Sequence, residues 1–77
     1  MLDSVIVGRV IQRIRIEKKK SQELVSGFAG IGRTHLSAIE RGERKPTMET
    51  FFKLCEALEI RPSVLMAEIE AEIEKQS

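Results

Sequence analysis

Cysteine and histidine are almost absent from this 77-residue sequence, which contains one of each, Cys55 and His35. A single cysteine cannot form an internal disulfide, and Cys55 lies on the apolar side of a helical pattern, so we expect a packed thiol in a reducing cytoplasm. The sequence also lacks a carboxylate pair beside a nucleophile, a glycine-rich phosphate loop and any cluster with metal-ligand spacing. We therefore expect neither an enzyme nor a protein that holds a metal or another cofactor.

Long apolar segments are also absent. No apolar run approaches the length of about 18 residues that a membrane-spanning helix needs, and the N-terminus does not resemble a signal peptide. With 42% hydrophobic residues, residues 1–77 are expected to form one small cytoplasmic domain with no membrane partner and no small-molecule ligand. A core of this size contributes a net stability of about 3–5 kcal/mol, which favours oligomerisation.

Charge is nearly balanced overall, at a formal +1, but the two signs are separated along the sequence. Residues 1–45 contain ten Lys and Arg against five acidic residues, whereas residues 46–77 contain three against seven. The first part therefore has a charge of +5 and the second a charge of −4. We expect a basic surface that faces nucleic acid and an opposite, acidic surface that faces something else.

Helical periodicity covers most of the chain and predicts an all-α fold. Apolar residues recur at helical spacing between Ser4 and Lys18, and again after Thr47, a favoured N-cap residue. Pro62 suits the first position of a final helix that ends at about Lys75. The apolar positions are Val7, Val10, Ile11 and Ile14 in the first segment, Phe51, Leu54, Cys55 and Leu58 in the second, and Leu65, Met66, Ile69 and Ile73 in the third.

Between the first two segments, residues 21–42 predict two short helices joined by a tight glycine turn. Ser21 is a favoured N-cap, and Gly30 supplies the left-handed conformation that ends the first of these helices. In the second, Leu36 and Ile39 are expected to point inward. The residues that it is expected to expose, on a face suited to the major groove of DNA, are Arg33, Thr34, Ser37 and Ala38.

Four motifs carry a family resemblance: Ser-Gln-Glu at 21–23, Gly-Ile at 30–31, Arg-Thr-x-Leu-Ser-x-Ile-Glu-Arg-Gly at 33–42 and Arg-Lys-Pro-Thr at 44–47. From about Gly8 to about Leu65 the chain resembles the lambda-repressor-like helix-turn-helix family, of the Cro/C1 or XRE type. It is particularly similar to the controller proteins of bacterial restriction-modification systems, in which an Arg-Thr-Tyr triplet is common and His35 replaces the tyrosine. The resemblance implies a compact five-helix fold, in which helices 2 and 3 form the helix-turn-helix and double-stranded DNA is the partner.

The second helix of the motif and its surroundings supply the candidate DNA contacts. Arg33 is the first candidate for a base contact, because its guanidinium matches the paired acceptors of guanine; a phosphate contact is the alternative. The other candidates for base contacts are Thr34, His35, Ser37, Ala38 and Arg44. The candidates for phosphate contacts are Ser21, Gln22, Arg41, Lys45 and Lys20. For His35 and for the lysine run at 18–20, simple solvent exposure is an equal alternative.

Arg15 and Glu40 are interpreted as structural. In the pattern of the family, the arginine near the end of the first helix resembles the partner of the glutamate that ends the recognition helix. The resemblance therefore implies a partly buried, charge-assisted ion pair that ties these two helices together.

The last helix contains an apolar stripe among glutamates, consisting of Leu65, Met66, Ile69 and Ile73. The distal part of this stripe is expected to extend beyond what its own domain can cover. Residues 62–75 are therefore predicted to form a homodimer interface, and the off-stripe Phe52 is included with them. The alternative is that the helix folds back over the first helix of its own domain.

These features predict a homodimeric, sequence-specific transcriptional regulator that binds an inverted repeat with half-sites about one helical turn apart. A restriction-modification controller protein is the form of this function that the resemblance suggests. One alternative is an antitoxin or autorepressor whose acidic C-terminal helix binds a protein partner. Another is a protein-interaction module that has lost DNA binding, but the retained basic residues of the motif argue against it.

Overall fold

The computed structural model describes residues 2–76 and contains five α-helices and no strand in that range. The helices are α1 (Ser4–Glu17), α2 (Gln22–Ala29), α3 (Arg33–Glu40), α4 (Met48–Leu58) and α5 (Pro62–Lys75). The predicted all-α architecture, with α2 and α3 as the helix-turn-helix, is confirmed. Of the domain predicted over residues 1–77, Met1 and Ser77 lie outside the described residues.

Polar side chains determine where three of the helices begin. Asp3, Ser21 and Thr47 each accept a hydrogen bond from a backbone amide two or three residues ahead, at 2.8, 3.0 and 3.1 Å. These bonds satisfy amides that have no partner inside the helix. Pro62 begins α5, where its missing N–H leaves no helical hydrogen bond unmade.

The core is formed by apolar side chains from all five helices. Leu36 and Ile39 of α3 are fully buried, as their spacing predicts, and α3 packs against both α1 and α2. The other large side chains with less than 2% exposure are Val10, Ile11, Val25, Leu54, Cys55, Leu58, Leu65 and Ile69. Burial of each aliphatic side chain contributes about 1.5–3 kcal/mol, most of which offsets the conformational entropy lost on folding.

Helix α5 folds back over α1, and this arrangement corrects the predicted dimer interface. Leu65 and Ile69 are 0% and 1% exposed within their own domain, and Ile73 is partly buried against the same core. Leu65 and Ile69 are therefore inaccessible to a partner subunit, so their predicted dimer role is wrong, whereas that of the partly exposed Ile73 stays a prediction. The helix folds back because α1 and α5 contain 14 residues each. Two helices of about 21 Å can cover each other along their whole length.

Gly8 allows α1 to approach α3 closely, and its place inside a helical pattern did not reveal this role. A Cβ atom at residue 8 would lie 2.8 Å from the carbonyl oxygen of Glu40 and closer still to that of Ile39. Both atoms belong to the backbone of α3, so they cannot turn aside as the end of a flexible side chain can. Any larger residue at position 8 therefore requires the two helices to separate.

The implied ion pair between Arg15 and Glu40 is present, and it forms a second contact between α1 and α3 beside the close approach at Gly8. Arg15 Nε and Nη2 donate to Glu40 Oε2 and Oε1 at 2.7 and 3.0 Å, and Nη1 donates to the carbonyl oxygen of Lys20 at 2.8 Å. The side chain of Glu40 is 1% exposed and that of Arg15 is 12% exposed. Each charge is buried only because the other compensates it, so loss of either partner leaves the remaining one without compensation.

Replacement of Gly8 by alanine is expected to destabilise the protein, although alanine is the better helix former. The added methyl group pushes α1 away from α3, and overpacking of this kind costs about 1–3 kcal/mol. The control is Gly27→Ala in α2, where nothing lies within 4 Å of the added Cβ, so the free energy of unfolding should stay the same or rise by about 0.5–1 kcal/mol. Circular dichroism melting curves measure both variants, and a Gly8→Ala protein as stable as the wild type would contradict the close approach.

Arg15→Ala is expected to lower the free energy of unfolding by about 3–5 kcal/mol, because Glu40 becomes a buried, unpaired carboxylate. The matched control is Arg13→Ala, which removes an exposed pair with Glu68 whose side chains are 42% and 45% exposed. That variant should lose at most about 1 kcal/mol. Urea unfolding with the two variants side by side tests the difference; equal midpoints would show that burial of the Arg15 pair adds nothing to its importance.

Candidate nucleic-acid interface

A three-residue turn sets the angle between α2 and α3. Gly30 adopts the left-handed conformation, with φ 70° and ψ 26°, which ends α2 as its position predicts. The amide of Ile31 donates to the carbonyl oxygen of Ser26 at 3.0 Å and closes the turn. Gly32 occupies the N-cap of α3 without a side-chain hydrogen bond. The first turn of α3 therefore has amides that remain open to an external acceptor.

The outer face of α3 forms an open groove with the start of α2. Arg33 and Thr34 are exposed, and His35 and Ser37 are half-buried. A hollow of about 240 Å³ is lined by Gln22, Arg33, Thr34, Ser37 and Arg41. The groove thus brings together five of the residues predicted to contact DNA.

Arg33 is the side chain of this groove that is free to reach a ligand. Within residues 2–76 its guanidinium takes part in no hydrogen bond or ion pair. It extends from the first position of α3, a helix whose opposite face is anchored in the core by Leu36 and Ile39. A rigid helix with a long, unpaired cation at its start can insert that cation into the major groove.

Ala38 is buried, at 8% exposure, and the prediction that it lies on the outward face is wrong. Helix α3 packs against both α1 and α2, so its buried arc is wider than the Leu36 and Ile39 stripe alone indicated. Glu40, the last residue of α3, is also buried. The methyl group of Ala38 is consequently part of the packing of α3 and not of its exposed reading surface.

Gln22 links the groove to the buried ion pair, a role that its position at the start of α2 did not reveal. Its Nε2 donates to Glu40 Oε1 at 3.0 Å, so Glu40 accepts hydrogen bonds from both Arg15 and Gln22. The amide group of Gln22 is thereby held in one orientation. It retains one N–H and its carbonyl oxygen for an external partner, which is compatible with the predicted phosphate contact.

Lys20 is committed to a different part of the fold, which corrects its assignment as a phosphate contact. Its Nζ donates to the Glu59 carboxylate at 2.7 Å and to the carbonyl oxygen of Ala57 at 3.3 Å, and its side chain is 19% exposed. Lys18 Nζ donates to the carbonyl oxygen of Glu59 at 3.5 Å. Lysines at this end of α4 satisfy carbonyl groups that lack helical partners and face the negative end of the helix dipole.

Arg41, Glu43 and Ser37 form a hydrogen-bonded chain along the outer side of α3. Arg41 Nε and Nη2 donate to Glu43 Oε2 and Oε1 at 2.8 and 3.2 Å, and Nη1 donates to the hydroxyl oxygen of Ser37. The hydrogen bond from Arg41, with its charge, lowers the pKa of Glu43, and Glu43 in turn raises the pKa of Arg41. The sequence interpretation missed Glu43, and the signal that identifies it is an acid two residues after a cation at a helix end.

Several further residues surround this network. Arg44 and Lys45 are exposed, and neither takes part in a hydrogen bond or ion pair within residues 2–76. Leu24 and Phe28 of α2 are 44% and 75% exposed, and they line a broad groove that also includes Arg33. The sequence did not indicate an apolar wall next to the candidate base-reading arginine.

Three further features bear on other functions: the thiol of Cys55, groups of metal-binding side chains, and helices able to cross a membrane. Burial raises the pKa of the Cys55 thiol to about 11, so the reactive thiolate is scarce at neutral pH. Residues 2–76 contain no group of three or more His, Cys, Asp or Glu side chains that could hold a metal ion. Over the same residues, no helix has the length and apolar character needed to cross a membrane.

Comparisons with known proteins agree with this geometry. Residues 11–65 match the helix-turn-helix family. The HTH-type transcriptional regulator y4dJ of Sinorhizobium fredii is 42% identical over 53 residues, which cover 69% of each protein. The control protein C.BamHI of Bacillus amyloliquefaciens is 32% identical over 62 residues, 79% of this chain and 76% of that protein.

A solved structure of a controller protein has the same fold as this chain. A tyrosine-to-phenylalanine mutant of the restriction-modification controller protein C.Esp1396I has a TM-score of 0.91 and 30% sequence identity to this chain. The match covers 100% of this chain and 98% of that one. Because the family match spans well over half of its residues, this chain belongs to the XRE-type helix-turn-helix family and is a DNA-binding transcriptional regulator.

Proposed function

We propose that this regulator acts as a homodimer on an inverted-repeat operator and that it is the controller protein of a restriction-modification system. Each α3 enters a major groove of the operator, in the bacterial cytoplasm. The observation that carries the proposal is the exposed guanidinium of Arg33, which has no partner within residues 2–76 and extends from a helix anchored in the core. The controller role is supported by C.BamHI and C.Esp1396I, which are described as control and controller proteins.

Base reading is assigned to the start and the middle of α3. Arg33 donates a bidentate pair of hydrogen bonds to guanine O6 and N7, a contact that discriminates against other bases by about 1–3 kcal/mol. Thr34, exposed next to it, offers a hydroxyl and a methyl group, and Ser37 offers a hydroxyl. His35 is half-buried on the same helix and contributes at its edge.

Phosphate contacts are assigned to the start of α2 and to the loop after α3. The amides at the N-terminus of α2, with the positive end of its dipole, favour an anion beside Ser21 and Gln22. Arg44 and Lys45 follow α3 and are unpaired within the described residues. These contacts provide affinity that falls with salt, and they orient α3 without reading sequence. Arg44 also has the length to reach a base edge.

The dimer surface is assigned to exposed apolar side chains of α4 and α5. Met48, Phe52 and Met66 are 69%, 53% and 39% exposed. Met48 and Phe52 are one turn apart on α4, and Met48 and Met66 line the same small hollow of about 70 Å³. Exposed large apolar side chains are typical of an interface between subunits. Phe52 and Met66 thus retain their predicted dimer role, and Met48 joins them.

The antitoxin alternative has less support than the operator-binding homodimer. It requires the acidic α5 to bind a second protein, yet its apolar residues Leu65 and Ile69 pack inside the domain, so mainly its charged face and Met66 would be available to such a partner. Beyond Met66, the exposed residues of α5 include two glutamates, Glu70 and Glu74.

Selection from a random duplex library at near-physiological salt tests the base-reading assignment. The wild type should enrich an inverted repeat, and Arg33→Ala should lose or relax one base position in each half-site by about tenfold or more. Arg9→Ala is the matched control, because Arg9 is also exposed but lines a groove between α1 and α5. The control should enrich the same sequence as the wild type. Failure of the wild-type protein to enrich any sequence would refute the proposed function.

Phe52→Glu is expected to convert the dimer to a monomer, because it introduces a charge that the partner subunit would have to desolvate. The mass in solution, measured by sedimentation equilibrium, should fall to about 8.7 kDa. Phe28→Glu is the control: Phe28 is even more exposed, at 75%, but lies on α2, so the dimer mass should persist. Equal masses for wild type and Phe52→Glu would rule out this dimer surface.

A further inference from the structure

We propose that Glu43 is a specificity determinant of the DNA-reading surface. Its carboxylate holds Arg41 beside Ser37, which keeps the guanidinium away from phosphate groups and leaves the Ser37 hydroxyl as a hydrogen donor to a base. This inference rests on the proposed sequence-specific function and adds to it a residue that contacts neither bases nor phosphates. It also reassigns Arg41, which the sequence suggested as a phosphate contact.

The carboxylate of Glu43 occupies the position at which a phosphate would bind Arg41. A guanidinium presents parallel N–H groups that match either two carboxylate oxygens or two phosphate oxygens. Here Nε and Nη2 meet the two oxygens of Glu43 at 2.8 and 3.2 Å. A phosphate can use this fork only after Glu43 releases it, so the pair with Glu43 reduces what Arg41 contributes to the binding of arbitrary DNA.

The third bond of Arg41 determines what Ser37 can offer to a base. A serine hydroxyl has one donor hydrogen and two acceptor lone pairs. Because Arg41 Nη1 donates to the Ser37 oxygen, the hydroxyl hydrogen turns away from the cation, and it is donated to no other group within residues 2–76. In the major groove, guanine, adenine and thymine present an acceptor to such a donor, whereas cytosine presents its N4 amino group, which is a donor. A cytosine amino group could use only the one lone pair that Arg41 leaves free, and its positive hydrogens would lie close to the Arg41 cation. Ser37 should therefore prefer guanine, adenine or thymine to cytosine.

Arg41 differs in this respect from the other cations near α3. Arg33, Arg44 and Lys45 take part in no hydrogen bond or ion pair within residues 2–76, and Arg41 takes part in three hydrogen bonds. The pair with Glu43 is exposed, at 53% and 58% for the two side chains, and exposed pairs contribute little to folding. A substitution of Glu43 should thus leave the protein folded and change only how it binds DNA.

The first test compares base preferences in the random-library selection. Glu43→Gln and Ser37→Ala should relax the same base position of each half-site, by about two- to tenfold, the value of one hydrogen bond between neutral groups. In the wild type that position should contain cytosine less often than the other three bases. Relaxation at different positions, or no relaxation with Glu43→Gln, would overturn the proposed orientation of Ser37.

The second test measures binding to a scrambled duplex between 50 and 200 mM salt, with fluorescence anisotropy. Glu43→Gln frees Arg41 for one phosphate, so the scrambled duplex should bind more tightly and the log–log salt dependence should steepen by about 0.9. Loss of a negative charge alone also strengthens DNA binding, and a double-mutant cycle separates the two effects. In an Arg41→Gln background, Glu43→Gln should no longer steepen the salt dependence.

The outcomes distinguish this inference from the function on which it rests. A steeper slope that requires Arg41, together with the shared base position, supports the role of Glu43. The role of Glu43 is overturned if Glu43→Gln leaves the salt dependence unchanged, or changes it equally with and without Arg41. The proposed function still holds in that case if the wild type binds the selected duplex more tightly than the scrambled one. A wild type that binds the selected and scrambled duplexes equally overturns both, and that failure is visible before any variant is examined.

Discussion

The buried carboxylate of Glu40 connects the three helices on which the DNA-binding surface depends. It accepts two hydrogen bonds from Arg15 of α1 and one from Gln22 of α2, while it belongs to the last turn of α3. A charge at 1% exposure is tolerated only when such partners surround it. The same hydrogen bonds therefore determine the position of α3 against α1 and the orientation of the side-chain amide of Gln22 at the start of α2.

The close approach at Gly8 complements this polar connection. Because the backbone of α1 nearly touches the carbonyl groups of Ile39 and Glu40, the end of α3 is held between a steric contact and an ion pair. The opposite end of α3 is free of such constraints, and there Arg33 extends into solvent. One end of the helix is thus rigid, and the other end presents the residues proposed to read DNA. Rigid support of this kind lowers the entropy cost of inserting the helix into a groove.

Local sequence signals predicted the elements well and their mutual packing less well. Ser21, Gly30 and Thr47 cap or end helices through bonds to neighbouring residues, so sequence alone was sufficient to place them. The errors concern contacts between distant segments. Lys20 was predicted to contact DNA but forms a hydrogen bond with Glu59 at the end of α4. Ala38 was predicted to be exposed, but it is buried because α3 packs against two helices, α1 and α2.

The sequence by itself determined the helical segments and the helix-turn-helix, because caps, glycine turns and apolar periodicity act over a few residues. Its motifs at 21–23, 30–31, 33–42 and 44–47 indicated the family by resemblance. It also indicated Arg33 as the outward cation of α3. Only the tertiary structure decided which surfaces stay free. It placed the stripe of α5 on α1, leaving Met48, Phe52 and Met66 exposed, and it joined Glu43 to Arg41 and Ser37. Burial and side-chain pairing depend on the distances between whole helices, and the periodicity of a single helix does not contain that information.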